Sequence, residues 1–79
     1  NPKHVNAIYN LGYFHYQNNN IKTSIEFFER AVGLQPDYFL ALNNLGLAYN
    51  RQRKYQEALD AFERARQVEP DNYLIYNNL

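Results

Sequence analysis

The tetrapeptide FERA stands at Phe28–Ala31 and returns 34 residues later at Phe62–Ala65. The same shift pairs Asn10-Leu11-Gly12 with Asn44-Leu45-Gly46, Ala7 with Ala41, and Pro36-Asp37 with Pro70-Asp71, without a gap. Pro2 lies one period before Pro36, and Tyr73–Leu79 opens a third copy in which Asn78-Leu79 falls in register. Self-similarity at a fixed period of this length marks a stacked repeat array.

Inside each unit the hydrophobic pattern is helical. Ile8, Leu11, Gly12 and His15 fall at i, i+3, i+4 and i+7, as do Leu42, Leu45, Gly46 and Tyr49, which places each set on one helix face. After a polar break at 17–20 or 52–54, a second stripe runs through Ile21, Ile25, Phe28 and Val32, matched by Tyr55, Leu59, Phe62 and Ala65. The spacing predicts helices near 5–17, 21–34, 39–52 and 55–68, with another starting at 73. Pro36 and Pro70 cannot continue the preceding helix. Asp37 and Asp71 are of a type that caps the next one. The unit is a helical hairpin.

Composition narrows the functions open to it. With 79 residues the chain makes at most one small domain. Eight basic residues balance eight acidic ones, which argues against a surface built to grip phosphates. No cysteine is present, so disulfides and thiol chemistry are excluded. His4 and His15 are the histidines, and His15 takes a packing position. Neither they nor the acidic residues form a metal-ligand set at workable spacing. There is no glycine-rich phosphate loop, and Ser24 stands without a base. No catalysis, metal or cofactor is expected of this segment. No apolar run is long enough to span a bilayer, and no signal-peptide pattern opens the chain; the expected compartment is the cytoplasm.

The unit resembles the tetratricopeptide repeat (TPR), and the resemblance covers the whole chain. Leu11, Gly12, Phe28, Ala31 and Pro36 match its signature in the first copy. Leu45, Gly46, Tyr49, Ala58, Phe62, Ala65 and Pro70 match it in the second. His15 and Ser24 depart from it where the second copy has Tyr49 and Ala58. The resemblance implies an all-α fold of antiparallel helical hairpins stacked as a right-handed superhelix, an α-solenoid segment. In that scheme 5–38 and 39–72 are two repeats, 1–4 ends a preceding one, and 73–79 is the truncated first helix of a third. Small groups at Gly12, Gly46, Ser24, Ala58, Ala31 and Ala65 let helices approach closely, and Phe28 and Phe62 fill the space between neighbouring hairpins.

In such arrays the first helices line a concave groove. The face left over on these helices carries Asn6, Asn10, Tyr13 and Gln17 with Tyr9 and Tyr16 beside them, then Leu40, Asn44, Leu47 and Arg51 flanked by Asn43 and Asn50. Leu74, Asn77 and Asn78 follow in the third copy. Amides offer a donor and an acceptor together, suited to a peptide backbone, and aromatic and apolar groups supply contact area. Neighbouring first helices stand roughly 10 Å apart and an extended peptide advances about 3.3 Å per residue. Asn10, Asn44 and Asn78 would then meet it about every third residue. The groove resembles the asparagine-ladder type of array, with Tyr9, Tyr13, Tyr16, Asn43, Leu47, Asn50 and Arg51 shaping selectivity.

Other readings of the same residues stand beside this one. The asparagines can bridge adjacent helices or face water, the tyrosine cluster can pack on a neighbouring repeat, and the basic group Arg51, Arg53 and Lys54 can complement a helix C-terminus. The outward helices carry opposite charges at i, i+4, Lys22–Glu26, Glu26–Arg30 and Asp60–Arg64, as a solvated surface does. The expected function is a protein–protein interaction scaffold that binds a polypeptide in its groove. The alternatives are architectural self-association, in particular through the truncated helix, and an RNA-binding helical array. Positions that hold basic residues in carboxylate-clamping receptors of this family carry Tyr9, Leu40 and Leu74 here.

Overall fold

The computed structural model describes residues 2–68. Four α-helices follow one another: α1 (Pro2–Gln17), α2 (Ile21–Leu34), α3 (Phe39–Arg51) and α4 (Tyr55–Val68). Among the described residues there is no strand, and no helix is long and apolar enough to cross a membrane. The helices pair as two antiparallel hairpins, α1 with α2 and α3 with α4, and α2 packs on α3 to join them. The expected third helix and the cap at Asp71 lie outside the described residues. α1 begins three residues before the start expected at 5, because proline is at home in a first turn where its missing N–H has no helical acceptor.

Both hairpin turns use one device, at positions one repeat apart. Asn19 and Arg53 adopt left-handed backbone conformations, with φ of 65° and 62°. The N–H of Asn20 reaches back to the His15 carbonyl at 2.8 Å, and that of Lys54 to the Tyr49 carbonyl at 2.9 Å. These six-to-one bonds close each helix in a Schellman-type end. Asn tolerates that conformation well, whereas Arg takes it at some steric cost.

Asp37 does not cap α3. Tyr38 holds the N-cap position without a side-chain cap bond, its carbonyl accepts from the Leu42 N–H at 3.1 Å, and its ring turns toward α1. The i, i+4 charge pairs do not close either. Among the described residues the ion pair within 4 Å is Arg66–Glu63 at i, i+3, and Arg30 lies over the Phe27 ring at 5.7 Å instead. Exposed pairs of long side chains gain too little to be held in one geometry.

Close contact between glycine and phenylalanine sets each hairpin. A Cβ built on Gly12 would lie 2.7 Å from the Phe28 ring, and one on Gly46 would lie 2.6 Å from the Phe62 ring. Both rings are buried completely or nearly so. Phe28 joins Ile25, Leu45, Ala48 and Ala61 in one apolar cluster across the α2–α3 junction, and Ala31, Val32, Ala41, Leu42 and Ala65 form another. Phe28 therefore fills space within its own hairpin and between hairpins. Ser24 takes the small-residue site of Ala58 with no exposure; its hydroxyl donates to the Ile21 carbonyl at 2.7 Å, which satisfies the polar atom it buries.

Two glycine substitutions separate packing from propensity. Gly46→Ala drives a methyl into Phe62 and is expected to cost about 1–3 kcal/mol. Gly33 has no atom within 4 Å of a Cβ, so Gly33→Ala is expected to stabilise α2 by about 0.5–1 kcal/mol. Urea unfolding followed by circular dichroism measures both, with midpoints that move in opposite directions.

Candidate functional site

α1 and α3 lie side by side, and polar side chains stitch the seam between them at three levels. At one end Tyr38 Oη donates to Asn6 Oδ1 at 2.8 Å. In the middle Asn44 Nδ2 donates to Tyr9 Oη at 2.7 Å. At the other end the Arg51 guanidinium lies over the Tyr16 ring at 5.6 Å and donates to Asn19 Oδ1. Helical spacing puts Asn6, Tyr9 and Tyr16 on one side of α1, and the repeat offset brings their partners from α3 and its approach opposite them.

Tyr9 is the hub of this seam. Its ring stacks on Tyr13 with centroids 6.3 Å apart, and tilts against Tyr38 at 5.3 Å and Phe28 at 5.8 Å. Burial raises its phenol pKa above the usual value, and the prospect of tyrosinate charge at Tyr38 and Tyr13 raises it further, against the lowering by the Asn44 bond. Burial likewise raises Tyr38. Both hydroxyls stay protonated at neutral pH and remain hydrogen-bond donors.

The residues expected on the groove divide by their surroundings. Asn10 is exposed and has no side-chain hydrogen bond among the described residues. Tyr13 is exposed as well, while Tyr16, Leu47 and Asn50 are half-buried. Asn44 is half-buried and bridges to α1, so the helix-bridging role is realised. That bond uses one amide hydrogen and leaves the carbonyl oxygen available. Asn43 differs from expectation: it is only 9% exposed, so it belongs to packing rather than to an open face. Its place, one step round the helix from Asn44, turns it inward. Asn78, Asn77 and Leu74 lie outside the described residues.

His15 is a packing residue, with its ring stacked on Phe27 at 5.6 Å and edge-on to Phe14 at 5.4 Å. The Asn20 amide lies 3.4 Å from its Nδ1. Among the described residues no group of His, Asp and Glu is arranged to hold a metal ion. Two features escape the repeat pattern. One is the seam bond from Tyr38 to Asn6, since neither residue recurs one period later. The other is the bond from the Tyr49 hydroxyl to Glu29 on α2, with the Tyr49 pKa raised strongly by burial, then by that bond and by the charges of Glu29 and Glu57.

Family models described as tetratricopeptide repeat match residues 5–38 and residues 39–72. Among solved structures, that of MamA superposes with a TM-score of 0.91 at 26% sequence identity, over 94% of this chain and 43% of that one. The chain thus spans less than half of the MamA chain. A tetratricopeptide repeat domain protein from Salinibacter ruber superposes with a TM-score of 0.80 at 23% identity, over 94% of this chain and 86% of that one, a likeness of fold alone. No curated protein sequence matches the chain.

The raised phenols predict an alkaline limit to stability. Tyr9, Tyr38 and Tyr49 keep their protons in the folded state above the usual tyrosine pKa. The unfolded chain therefore binds fewer protons once pH passes about 10, and stability falls as pH rises from there toward the folded values. The melting midpoint is expected to drop steadily above about pH 10 and to drop less in Tyr49→Phe. A midpoint flat through that range contradicts the assignment.

Proposed function

The chain belongs to the tetratricopeptide repeat family, and from that premise we propose that its α1/α3 face binds an extended polypeptide segment. Repeats of this family serve as protein-interaction scaffolds, and the family is typically non-catalytic. The finer reading rests on the make-up of this face. It is polar but uncharged over most of its length, with Asn10 open to solvent and the Tyr9–Asn44 pair held in place beside it. In that pair the Asn44 carbonyl oxygen can accept from a peptide N–H, and the Tyr9 hydroxyl hydrogen, not used in the bond, can be donated to a peptide carbonyl.

The observation that carries the proposal is this preorganised donor and acceptor. A side chain already fixed by a neighbour loses little rotamer freedom on binding. Each backbone bond is worth about 0.5–1.5 kcal/mol, so affinity comes from several such points together with the faces of Tyr13, Tyr16 and Leu47. Arg51 marks one end of the groove, where its charge is shared with Tyr16 and Asn19. Asn78 would continue the row one repeat on. The repeat boundaries at 38/39 and 72/73 fit this reading, since each first helix then contributes one ladder asparagine. Self-association is the second reading, favoured by Phe14 at 57% and Leu11 at 46% exposure on the leading face of α1.

Selection of linear peptides from a random display library provides the test. Peptides that bind the wild-type chain are expected to lose roughly tenfold or more in affinity in Asn10→Ala with Asn44→Ala. Helicity should be retained and stability lowered only by the lost Tyr9 bond, about 1 kcal/mol. Full-strength binding by the double variant sinks the proposal. A mass that rises with concentration and falls back in Phe14→Ser, with no peptide selected, favours self-association instead.

A further inference from the structure

The side of the molecule formed by the second helices has a different character from the α1/α3 seam. Between α2 and α4 lies a cavity of about 530 Å³, within the range of ordinary binding pockets. Its floor is apolar, from Val32 on α2, Leu45 on α3 and Ala61 on α4. One wall is bare of side chain, because Gly33 leaves open space where a Cβ would stand.

The rim is acidic. Glu29, Glu57 and Asp60 surround the cavity against the single guanidinium of Arg64, in a chain whose formal net charge is zero. None of the three carboxylates has an ion-pair partner within 4 Å among the described residues. Glu29 accepts from the Tyr49 hydroxyl and Asp60 accepts from Gln56 Nε2 at 3.3 Å. Each bond occupies one carboxylate oxygen and leaves further acceptor capacity. These acids are not disposed to hold a metal ion. An apolar floor beneath dispersed carboxylates instead complements a side chain that is apolar along its stem and cationic at its tip, as arginine and lysine are.

We propose that this furrow is a docking surface for a basic segment of a protein partner, which inserts an arginine or lysine side chain. The methylene stem lies along Val32, Leu45 and Ala61, and the cationic head sits among Glu29, Glu57 and Asp60. Arg64, at the rim, repels a second cation and limits the furrow to one inserted side chain at a time. The groove lies on the α1/α3 face and the furrow opens between α2 and α4, with α3 contributing to its floor, so one polypeptide can engage the seam while another engages the furrow.

The probe is the capped peptide acetyl-Leu-Arg-Leu-Arg-Leu-amide, with a control in which citrulline replaces both arginines. Binding to the full chain is followed by amide shifts in ¹⁵N NMR at low ionic strength, where exposed charges are least screened. The arginine peptide is expected to shift residues 29–36 and 57–64, and the citrulline peptide is not. Affinity is expected to fall roughly tenfold in Glu57→Gln with Asp60→Asn, which alters only exposed side chains. Gly33→Phe, which fills the furrow, is expected to do the same. Asn44→Ala leaves this binding unchanged, and circular dichroism confirms that each variant is folded. Equal binding by the citrulline peptide, shifts confined to α1 and α3, or undiminished affinity in both furrow variants overturns the proposal. So does self-association abolished by Arg53→Ala with Lys54→Ala, which would put a second copy in the furrow.

Discussion

The contact between a glycine on each first helix and a phenylalanine on its partner sets the distance on which the rest of this structure depends. With a Cβ at Gly12 or Gly46 inside 3 Å of the ring, any larger residue pushes the hairpin apart. That separation places Ala31 and Ala65 without exposure at the helix crossings and brings Phe28 within reach of both Tyr9 and the next hairpin. A helix packed this closely gains dispersion contacts along its length, which offsets the intrinsic helix cost of the glycine. Gly33 marks the contrast, since it has no such neighbour and bears no comparable load.

The hairpins stack through a second layer of interactions that is polar on one side and apolar on the other. Between α2 and α3 the junction is a dry cluster of aliphatic and small residues. Between α1 and α3 it is a seam of tyrosine, asparagine and arginine contacts. Hydrogen bonds hold a defined geometry, so the seam adds directional contacts to the dry α2–α3 packing. It also presents a surface whose polar groups are held before any ligand arrives. Binding to such a surface forfeits less conformational freedom than binding to a row of mobile side chains.

Much of the fold was legible because the repeat repeats its packing residues. The helices, the hairpin turns and the glycine, alanine and phenylalanine positions follow from a period of 34 residues and a helical stripe. The site was legible only in part, because its contacts join residues that do not recur. Tyr9 aligns with Asn43 and Asn6 aligns with Leu40, so no periodicity announces the bonds of Tyr9 to Asn44 or of Tyr38 to Asn6. Asn43 shows the limit of reading a face from a helical wheel. One step of about 100° separates an amide on the seam from one turned into the packing. Asp37 shows the limit of reading caps, since a residue type suited to the N-cap was displaced by a ring that found a partner on α1. The α2/α4 furrow was not legible at all, since its floor and rim come from three helices and from the missing side chain at Gly33.

Equivalent positions in the two copies show how burial arises in such a chain. Leu45 is 5% exposed and Leu11 is 46% exposed, although both hold the same place in the repeat. Ala48 is fully buried, and its counterpart Phe14 is 57% exposed. The difference is α2, which covers the face of α3 and has no counterpart over α1 among the described residues. A repeat therefore encodes a face, and a neighbour converts that face into core. The two copies are not interchangeable, however. Phe14 and Phe27 stand where the covered face has Ala48 and Ala61, and a helix seated as α2 sits on α3 would meet two aromatic rings in place of two methyl groups. Any helix covering α1 must stand farther off or offer small residues there. The leading face is thus selective in shape, which a purely periodic chain would not be.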